Sequence, residues 1–337
     1  MEVRLMAATV GVITNPRSGK DIRRLVAHAS APNDTSRIAD VRRLIMGAVE
    51  GGAELVLLAR DLHGLGERAI SGLDLPVELL DFDVDGSGGD TARAAMAMKE
   101  RSADVLAVYG GDGTHRQVAR GWRDAPIVAV AGGTNNAYPQ MIEPTVAGAA
   151  AGLAAAGGVP LDDLIAYQSL VIDIDVEGIP ADLALIDVAV IRGDTGGSPS
   201  LWSLDGVEQI FTAVAEPWSI GLSAFAGLVA PTSRTDDRGV LLDLDPSASQ
   251  RVRAPIAPGH YVEAGLQSVS VVEAEQGVTV RGPAVFAVDG ERAGALEDGQ
   301  WASMTLRRNG PRVIDIRRTF SLAVRRGHFY TEVNEES

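Results

Sequence analysis

Four short apolar runs in the first 145 residues constrain this chain more than any other feature. They are Thr9–Thr14 (TVGVIT), Ala53–Ala59 (AELVLLA), Asp104–Tyr109 (DVLAVY) and Pro126–Ala131 (PIVAVA). Short runs rich in β-branched residues, alternating with longer helical patterns, mark strand and helix units wound into a parallel sheet. Each run is apolar on both faces, as a sheet covered by helices on both sides requires. Three of the four end in a turn: Asn15-Pro16, Gly110-Gly111 and Gly132-Gly133. Ligands of such sheets bind beyond the carboxyl ends of the strands, so the three turns are expected to meet on one edge.

Further along, the stretch 145–156 is almost all alanine and glycine, which suits a tightly packed connecting helix before Gly157-Gly158-Val159-Pro160 stops it. The character then changes. Between about 168 and 310 the runs Ser169–Val176, Ser268–Val272, Gly277–Arg281 and Ala284–Val288 read as strands separated by Gly, Pro and Asp turns. The fold class expected is α/β. A Rossmann-like parallel-sheet domain occupies 1–145 and a mostly β, sandwich-like domain 160–310. A C-terminal segment, 311–337, returns to the first domain, its runs at 312–318 and 320–325 adding one or two strands.

Charge and composition exclude several function classes. The chain has 45 acidic against 30 basic residues, a formal charge of -15, which opposes binding to nucleic-acid phosphates or an anionic membrane. The absence of cysteine removes disulfides, thiol nucleophiles and thiolate zinc sites, and fits a cytoplasmic location. No apolar stretch reaches the ~18 residues of a spanning helix. The five histidines are scattered, with no i, i+4 pair to hold a metal on a helix. Metal ligands are not assigned from the sequence. The expected partners are a small-molecule substrate and further copies of the chain in a homo-oligomer.

The segment Gly110-Gly111-Asp112-Gly113-Thr114 joins a buried strand to the start of a helix. Glycines there let backbone N–H groups approach an anion, and a helix N-terminus adds a favourable dipole. Phosphate is the natural guest. A carboxylate in a phosphate turn suits a metal contact or a base that takes the proton of an attacking hydroxyl. A bare Gly-Asp-Gly is equally a β-turn with a helix cap. Gly132-Gly133-Thr134-Asn135-Asn136 repeats the logic one strand later, with donors for phosphate or sugar oxygens. Asn15-Pro16-Arg17-Ser18-Gly19-Lys20 supplies charged and neutral donors after the first strand. It is not a Walker A loop, because the leading glycine is missing and Asp21 follows the lysine. Taken alone, it is equally a strand-to-helix turn. His115 reads as a solvated histidine at the start of a helix.

Taken together, these residues resemble the superfamily of NAD kinases and diacylglycerol kinases. Gly110–Thr114 is similar to the signature turn of that superfamily, and Gly132–Asn136 stands where its members carry a Gly/Asn or Gly-Thr-x-Asn turn. Ala184–Val188 resembles the Asn-Glu motif of NAD kinases, Ser223-Ala224-Phe225 their Thr-Ala-Tyr segment, and Val288-Asp289-Gly290-Glu291 the late Asp-Gly pair of both branches. The run Asn15–Arg24 is similar to the acetoin-catabolism X proteins, a branch of the ATP-NAD kinases.

The resemblance implies an ATP-dependent kinase, using Mg2+, that phosphorylates a hydroxyl of NAD(H) or a related metabolite. Asp112 would be the base. Gly110, Gly111, Gly113, Thr114, Asn15, Ser18, Gly133, Thr134, Asn135 and Asn136 would bind the nucleotide, and Asp187, Ser223 and Ala224 would face the acceptor. Two departures bear on the acceptor: Ile186 replaces the family's Asn and Phe225 its Tyr, removing two polar contacts to a dinucleotide. The alternatives are a lipid kinase of the diacylglycerol type and a non-catalytic, nucleotide-binding regulator of acetoin catabolism.

Overall fold

The computed structural model describes residues 7–16, 18, 33–193 and 200–330, so Arg17, Gly19 and Lys20 of the first turn lie outside the described residues. The first part of the chain alternates β1 (Thr9–Thr14), α1 (Asp34–Glu50), β2 (Leu55–Ala59), α2 (Leu65–Ile70), β3 (Val77–Leu80), α3 (Gly89–Glu100), β4 (Val105–Gly110), α4 (Asp112–Gly121), β5 (Pro126–Ala131) and α5 (Pro144–Ala155). The strands lie side by side as β3-β2-β1-β4-β5, all parallel. The chain winds outward in one direction from β1 and then in the other from β4. The carboxyl ends of β1 and β4 therefore flank the switch point where such sheets bind ligands.

Alternation along the strands explains the two covered faces. Val10, Val12, Val105 and Ala107 pack with Val41, Leu44 and Ile45 of α1 and the alanines of α5. Ile13, Leu106 and Val108 pack on the other side with Ala94, Ala95 and Met98 of α3 and Val118 of α4. Full burial of each such aliphatic side chain contributes roughly 1.5–3 kcal/mol. The Ala/Gly stretch forms α5, capped by the Glu143 carboxylate, which accepts from Val146 N–H at 3.2 Å. It lies almost backbone to backbone on α1: a methyl group on Gly148 would sit 2.0 Å from the Leu44 carbonyl oxygen.

After a 3-10 turn at Leu161–Leu164, strands β6 (Ile165–Gln168), β7 (Val171–Val176), β8 (Ile179–Ala184), β9 (Asp187–Ile191) and β10 (Val207–Thr212) lead to helix α6 (Ser223–Val229). There follow β11 (Arg238–Leu244), β12 (Arg251–Ala257), β13 (His260–Glu273), β14 (Gly277–Arg281), β15 (Ala284–Val288), β16 (Glu291–Leu296), β17 (Trp301–Arg307), β18 (Arg312–Ile314) and α7 (Ile316–Arg325). The β half holds a seven-stranded sheet, β12-β13-β11-β10-β9-β15-β16, and a four-stranded one, β14-β17-β7-β8. Its ladders are antiparallel. The two sheets share a core that includes Ile172, Ile174, Phe211, Phe286 and Met304, while α6 packs its Ala224, Phe225 and Ala226 into another.

The tail departs from the expectation of two strands. Residues 312–314 form β18, which pairs parallel to β5 and antiparallel to β6 in the first sheet. The run 320–325, read as a possible second strand, is helical. Ile316, Thr319 and Ala323 are its buried residues, a helical spacing, and the Asp315 carboxylate caps it by accepting from Arg318 N–H.

Candidate functional site

The three turns meet. Ser18 Oγ accepts from Gly111 N–H at 2.8 Å and donates to the Gly132 carbonyl at 3.2 Å, so one hydroxyl ties all three together. Asn15 Nδ2 donates to Thr114 Oγ1 at 3.2 Å. Glycine is required where the second and third turns touch: a methyl group on Gly133 would lie 2.4 Å from Gly111 Cα. Asn136, at a φ of 54° that asparagine tolerates, folds its amide onto the turn, accepting from Gly133 N–H at 2.7 Å and donating to Gly133 O at 3.0 Å. Behind the first turn, buried Arg37 of α1 donates to the Pro16 carbonyl.

These turns open onto a cleft of about 780 Å³ at the switch point of the sheet. Asn15, Ser18, Gly111, Asp112, Gly113, Thr114, Gly133, Thr134 and Asn135 line it, with Ser200, Asp289 and Glu291 contributed by the β half. Gly110 and Asn136 are not at its wall. Gly110 ends β4 beneath Thr114, whose side chain would be 2.5 Å from a methyl group there, and Asn136 braces Gly133. A second, much smaller cavity of about 10 Å³ adjoins, walled by Ala137, Ile186, Asp187, Ile220, Gly221, Leu222 and Gly290. Asp112, Asn135 and Asp289 line both.

Asp112 is the first residue of α4, where the helix dipole favours its charge. Its Oδ1 accepts from Tyr138 N–H at 2.8 Å. Asn135 Nδ2 donates to the Ile256 carbonyl of β12 at 3.1 Å, while its buried Oδ1 has no hydrogen-bond partner among the described residues. Asp289 is 5% exposed, and its carboxylate accepts from the N–H groups of Leu185, Ile186 and Asp187. Burial pushes this carboxyl up to about 7. Arg116 and the backbone donors pull it down, and the charge of Asp112 pushes it further up.

The structure places several of the remaining residues away from the cleft. His115 is fully buried rather than solvated, with Nδ1 2.8 Å from the Gly111 carbonyl, and burial lowers its pKa to about 4. It is neutral near pH 7 and braces the turn from behind. Ser223 and Ala224 are fully buried in α6 and line neither cavity, because the helix turns both into the core of the β half. Phe225 is likewise a core residue, whereas Ile186 does reach the small cavity. Asp289 and Glu291, expected only as part of the late Asp-Gly pair, both line the cleft. The signal was Asp-Gly at a strand end: Asp289 and Gly290 both have left-handed φ, 48° and 78°, turning the chain back toward the cleft.

The cleft is acidic. Asp61, Asp90, Asp112, Asp289 and Glu291 line it against Arg60 among the described residues. An anionic polyphosphate therefore needs accompanying cations there. The described residues hold no cluster of three or more potential metal ligands.

Comparison with known proteins follows the same division of the chain. Residues 10–158 match the ATP-NAD kinase N-terminal domain, and residues 170–309 match the Acetoin catabolism protein X C-terminal domain. Among solved structures, yeast NADH kinase complexed with NADH is similar over 98% of this chain and 90% of its own, at 11% identity and a TM-score of 0.49. A diacylglycerol kinase from Bacillus anthracis is similar over 93% of this chain and 98% of its own, at 11% identity and a TM-score of 0.45. Acetoin catabolism protein X of Cupriavidus necator is 34% identical over 326 residues, covering 92% of this chain and 91% of that protein. On that extent of identity, the chain belongs to the acetoin catabolism protein X family, a kinase-like family that joins an ATP-NAD kinase N-terminal domain to its own C-terminal domain.

Proposed function

We propose that this protein is an ATP-dependent kinase that phosphorylates a hydroxyl group of a small metabolite, NAD(H) or a related compound. One observation carries the reading: the Asp112 carboxylate lies where the large cleft and the small cavity meet, and it lines both. A nucleotide triphosphate in the cleft would place its terminal phosphate against the Gly111–Thr114 and Gly133–Asn135 turns, at the N-terminus of α4. An acceptor hydroxyl in the small cavity would donate to Asp112. As the acceptor oxygen bonds to the transferred phosphorus and the bond to ADP breaks, Asp112 takes the hydroxyl proton. Magnesium, when bound, neutralises the donor phosphates, and Glu291, beside Gly113, is the carboxylate placed to help hold it.

The acceptor side is closed around Asp112. Its wall offers only about 10 Å³ and apolar Ile186, Ile220 and Leu222, with acceptor oxygens from Asp112, Asp187, Asp289 and Asn135. A space that size admits no more than a single hydroxyl-sized group, so only the reacting hydroxyl would enter it, donating to these oxygens while the rest of the acceptor lies in the large cleft. The relative from C. necator is named for acetoin catabolism, and acetoin, a compact hydroxyketone, is one acceptor to try. The same closed acceptor side favours a second reading, a nucleotide-binding regulator without catalysis. Transfer from labelled ATP to NAD, NADH, acetoin and pooled metabolites separates them. Labelled phosphate ester supports the kinase, while tight ATP binding with no transfer to any acceptor supports the regulator.

A further inference from the structure

Asp112 owes its position to a residue 122 positions further along the chain, in the β half. Its Oδ1 is held by Tyr138 N–H, and the carbonyl of that same peptide unit, Ala137 O, and of the next, Tyr138 O, both accept from Arg234: Ala137 O from Nη2 at 2.6 Å and Tyr138 O from Nη1 at 2.9 Å. The guanidinium also donates to Tyr167 Oη at 2.9 Å and to both oxygens of Glu216, at 3.1 and 3.0 Å. All five N–H directions of an arginine are thereby used. The pair is largely out of solvent, with side chains 18% and 13% exposed. Arg234 also stands over the Tyr138 and Tyr167 rings, 6.0 and 5.8 Å from their centroids. Tyr138 itself is fixed at its far end by Ser169, Oη to Oγ 2.7 Å, and its ring lies 5.3 Å from that of His115.

The ion pair holds two walls at once. Glu216 begins the loop that runs to Ile220, Gly221 and Leu222, the β-half wall of the small cavity, and Ala137 is part of the same cavity. Arg234 thus joins the segment that aims Asp112 to the segment that confines the acceptor.

We propose that Arg234, fixed by Glu216, is the positioning residue of this site: it sets the Tyr138 N–H that aims the Asp112 carboxylate and locks the 216–222 loop in register with it. The inference rests on the kinase reading for its catalytic consequence, but its structural claim stands apart from that reading. A lysine cannot replace the guanidinium, since one ammonium point charge cannot serve two carbonyls and both carboxylate oxygens in that plane. Without the clamp, the Tyr138 N–H swings away. The carboxylate loses the donor that aims it.

The test uses full-length Arg234→Gln, Arg234→Lys and Glu216→Gln, with Arg123→Gln as a control. Arg123 forms a comparable half-buried ion pair with Asp173 at 2.7 Å and touches neither the 137–138 segment nor the cavities. Hydrogen exchange is followed in the 133–140 peptide, and kinetics with the acceptor found in the labelling screen. The expected result is faster exchange in that peptide and a turnover ~10–100-fold lower, as for a misplaced reacting group. KM for ATP should hold while turnover falls in all three clamp variants, with Arg123→Gln showing neither the faster exchange nor the fall. Unchanged protection of 133–140 in a folded clamp variant overturns the proposal. So does the same kinetic pattern in Arg123→Gln, which would make the effect one of general stability. If Arg234→Gln does not fold, Glu216→Gln and Arg234→Lys decide. If wild type phosphorylates nothing, the kinase reading fails alone, and the exchange result still decides the clamp.

Discussion

Replacing Asp112 with Asn separates its chemistry from its structural role. The amide keeps the size of the carboxylate, and its carbonyl oxygen can still accept from Tyr138 N–H, now at 2.8 Å. What is lost to stability is a negative charge in the first turn of α4, about 0.3–1 kcal/mol at most. In a chain this long that corresponds to no more than ~3 °C in the melting midpoint. What is lost to turnover is the proton acceptor. General-base assistance contributes at least ~100-fold, equivalent to about 2.7 kcal/mol of barrier. One further consequence follows from geometry. The charge of Asp112 helps push the Asp289 carboxyl up, so its removal should lower the Asp289 pKa. The assay is labelled transfer from ATP at saturating acceptor, with a melt of the same sample. Turnover within a few-fold of wild type, in a variant whose midpoint is also unchanged, would refute the base assignment.

Other expectations are quickly checked. Asp289 is raised to about 7 when folded against about 3.9 when unfolded, so the folded protein binds the extra proton between those values and stability falls as pH rises through that window. Asp289→Asn should flatten that slope in urea melts at pH 4.5 and 7.5; an identical slope in both proteins would show that the group does not titrate there. Phe225→Tyr should cost about 1–3 kcal/mol, through a hydroxyl buried in the α6 core, without changing acceptor preference; a gain in activity toward NAD would place residue 225 in the site after all. Gly148→Ala should cost about 1–3 kcal/mol by prising α5 off α1, read from the melting midpoint, and a neutral result would mean that the helices can slide apart freely. Truncation after Gly310 removes β18 from between β5 and β6, together with buried Val313 and Ile314, and should give aggregating protein in gel filtration; a monodisperse product would show that the sheet closes without it.

Much of this arrangement was legible because the parallel sheet writes itself into sequence as two-faced apolar runs, and its ligand turns as glycines at their ends. β1 and β5 fall on the runs that announced them, and β14 and β15 on theirs. The turns could be named from sequence; that one serine hydroxyl would tie them could not, because Ser18 and Gly132 are 114 residues apart. The tail misled for a local reason. Phe320, Leu322 and Val324 alternate like a strand, yet Ile316, Thr319 and Ala323 carry the burial, and Asp315 was the cap that marked a helix. His115 and Ser223 misled for the opposite reason: polar residues beside a motif read as functional or solvated, and only three-dimensional packing shows them sealed in core. Arg234, Glu216 and Tyr138 carry no motif at all. Their joint role exists only once the β half has folded against the first sheet.

That dependence explains how a single carboxylate can serve two cavities. β4 delivers its chain to Gly110 and Gly111 in extended form, and α4 begins at the next residue, so the Asp112 side chain emerges at the junction rather than along either element. Two contacts that exclude a β-carbon keep the junction tight: Thr114 over Gly110 and Gly133 against Gly111. They fix where the carboxylate begins. Its Oδ1 accepts from Tyr138 N–H, which belongs to the turn after β5, and the backbone of that turn is held by Arg234 of the β half. Asp289 closes the other side, its carboxylate gathering the 185–187 backbone that leads into β9 and carries Ile186 and Asp187 to the small cavity. On the proposed reading each half of the molecule supplies what the other lacks: the parallel sheet would provide an anion-accepting edge and the proposed base, and the β half the aim of that base and the wall it faces.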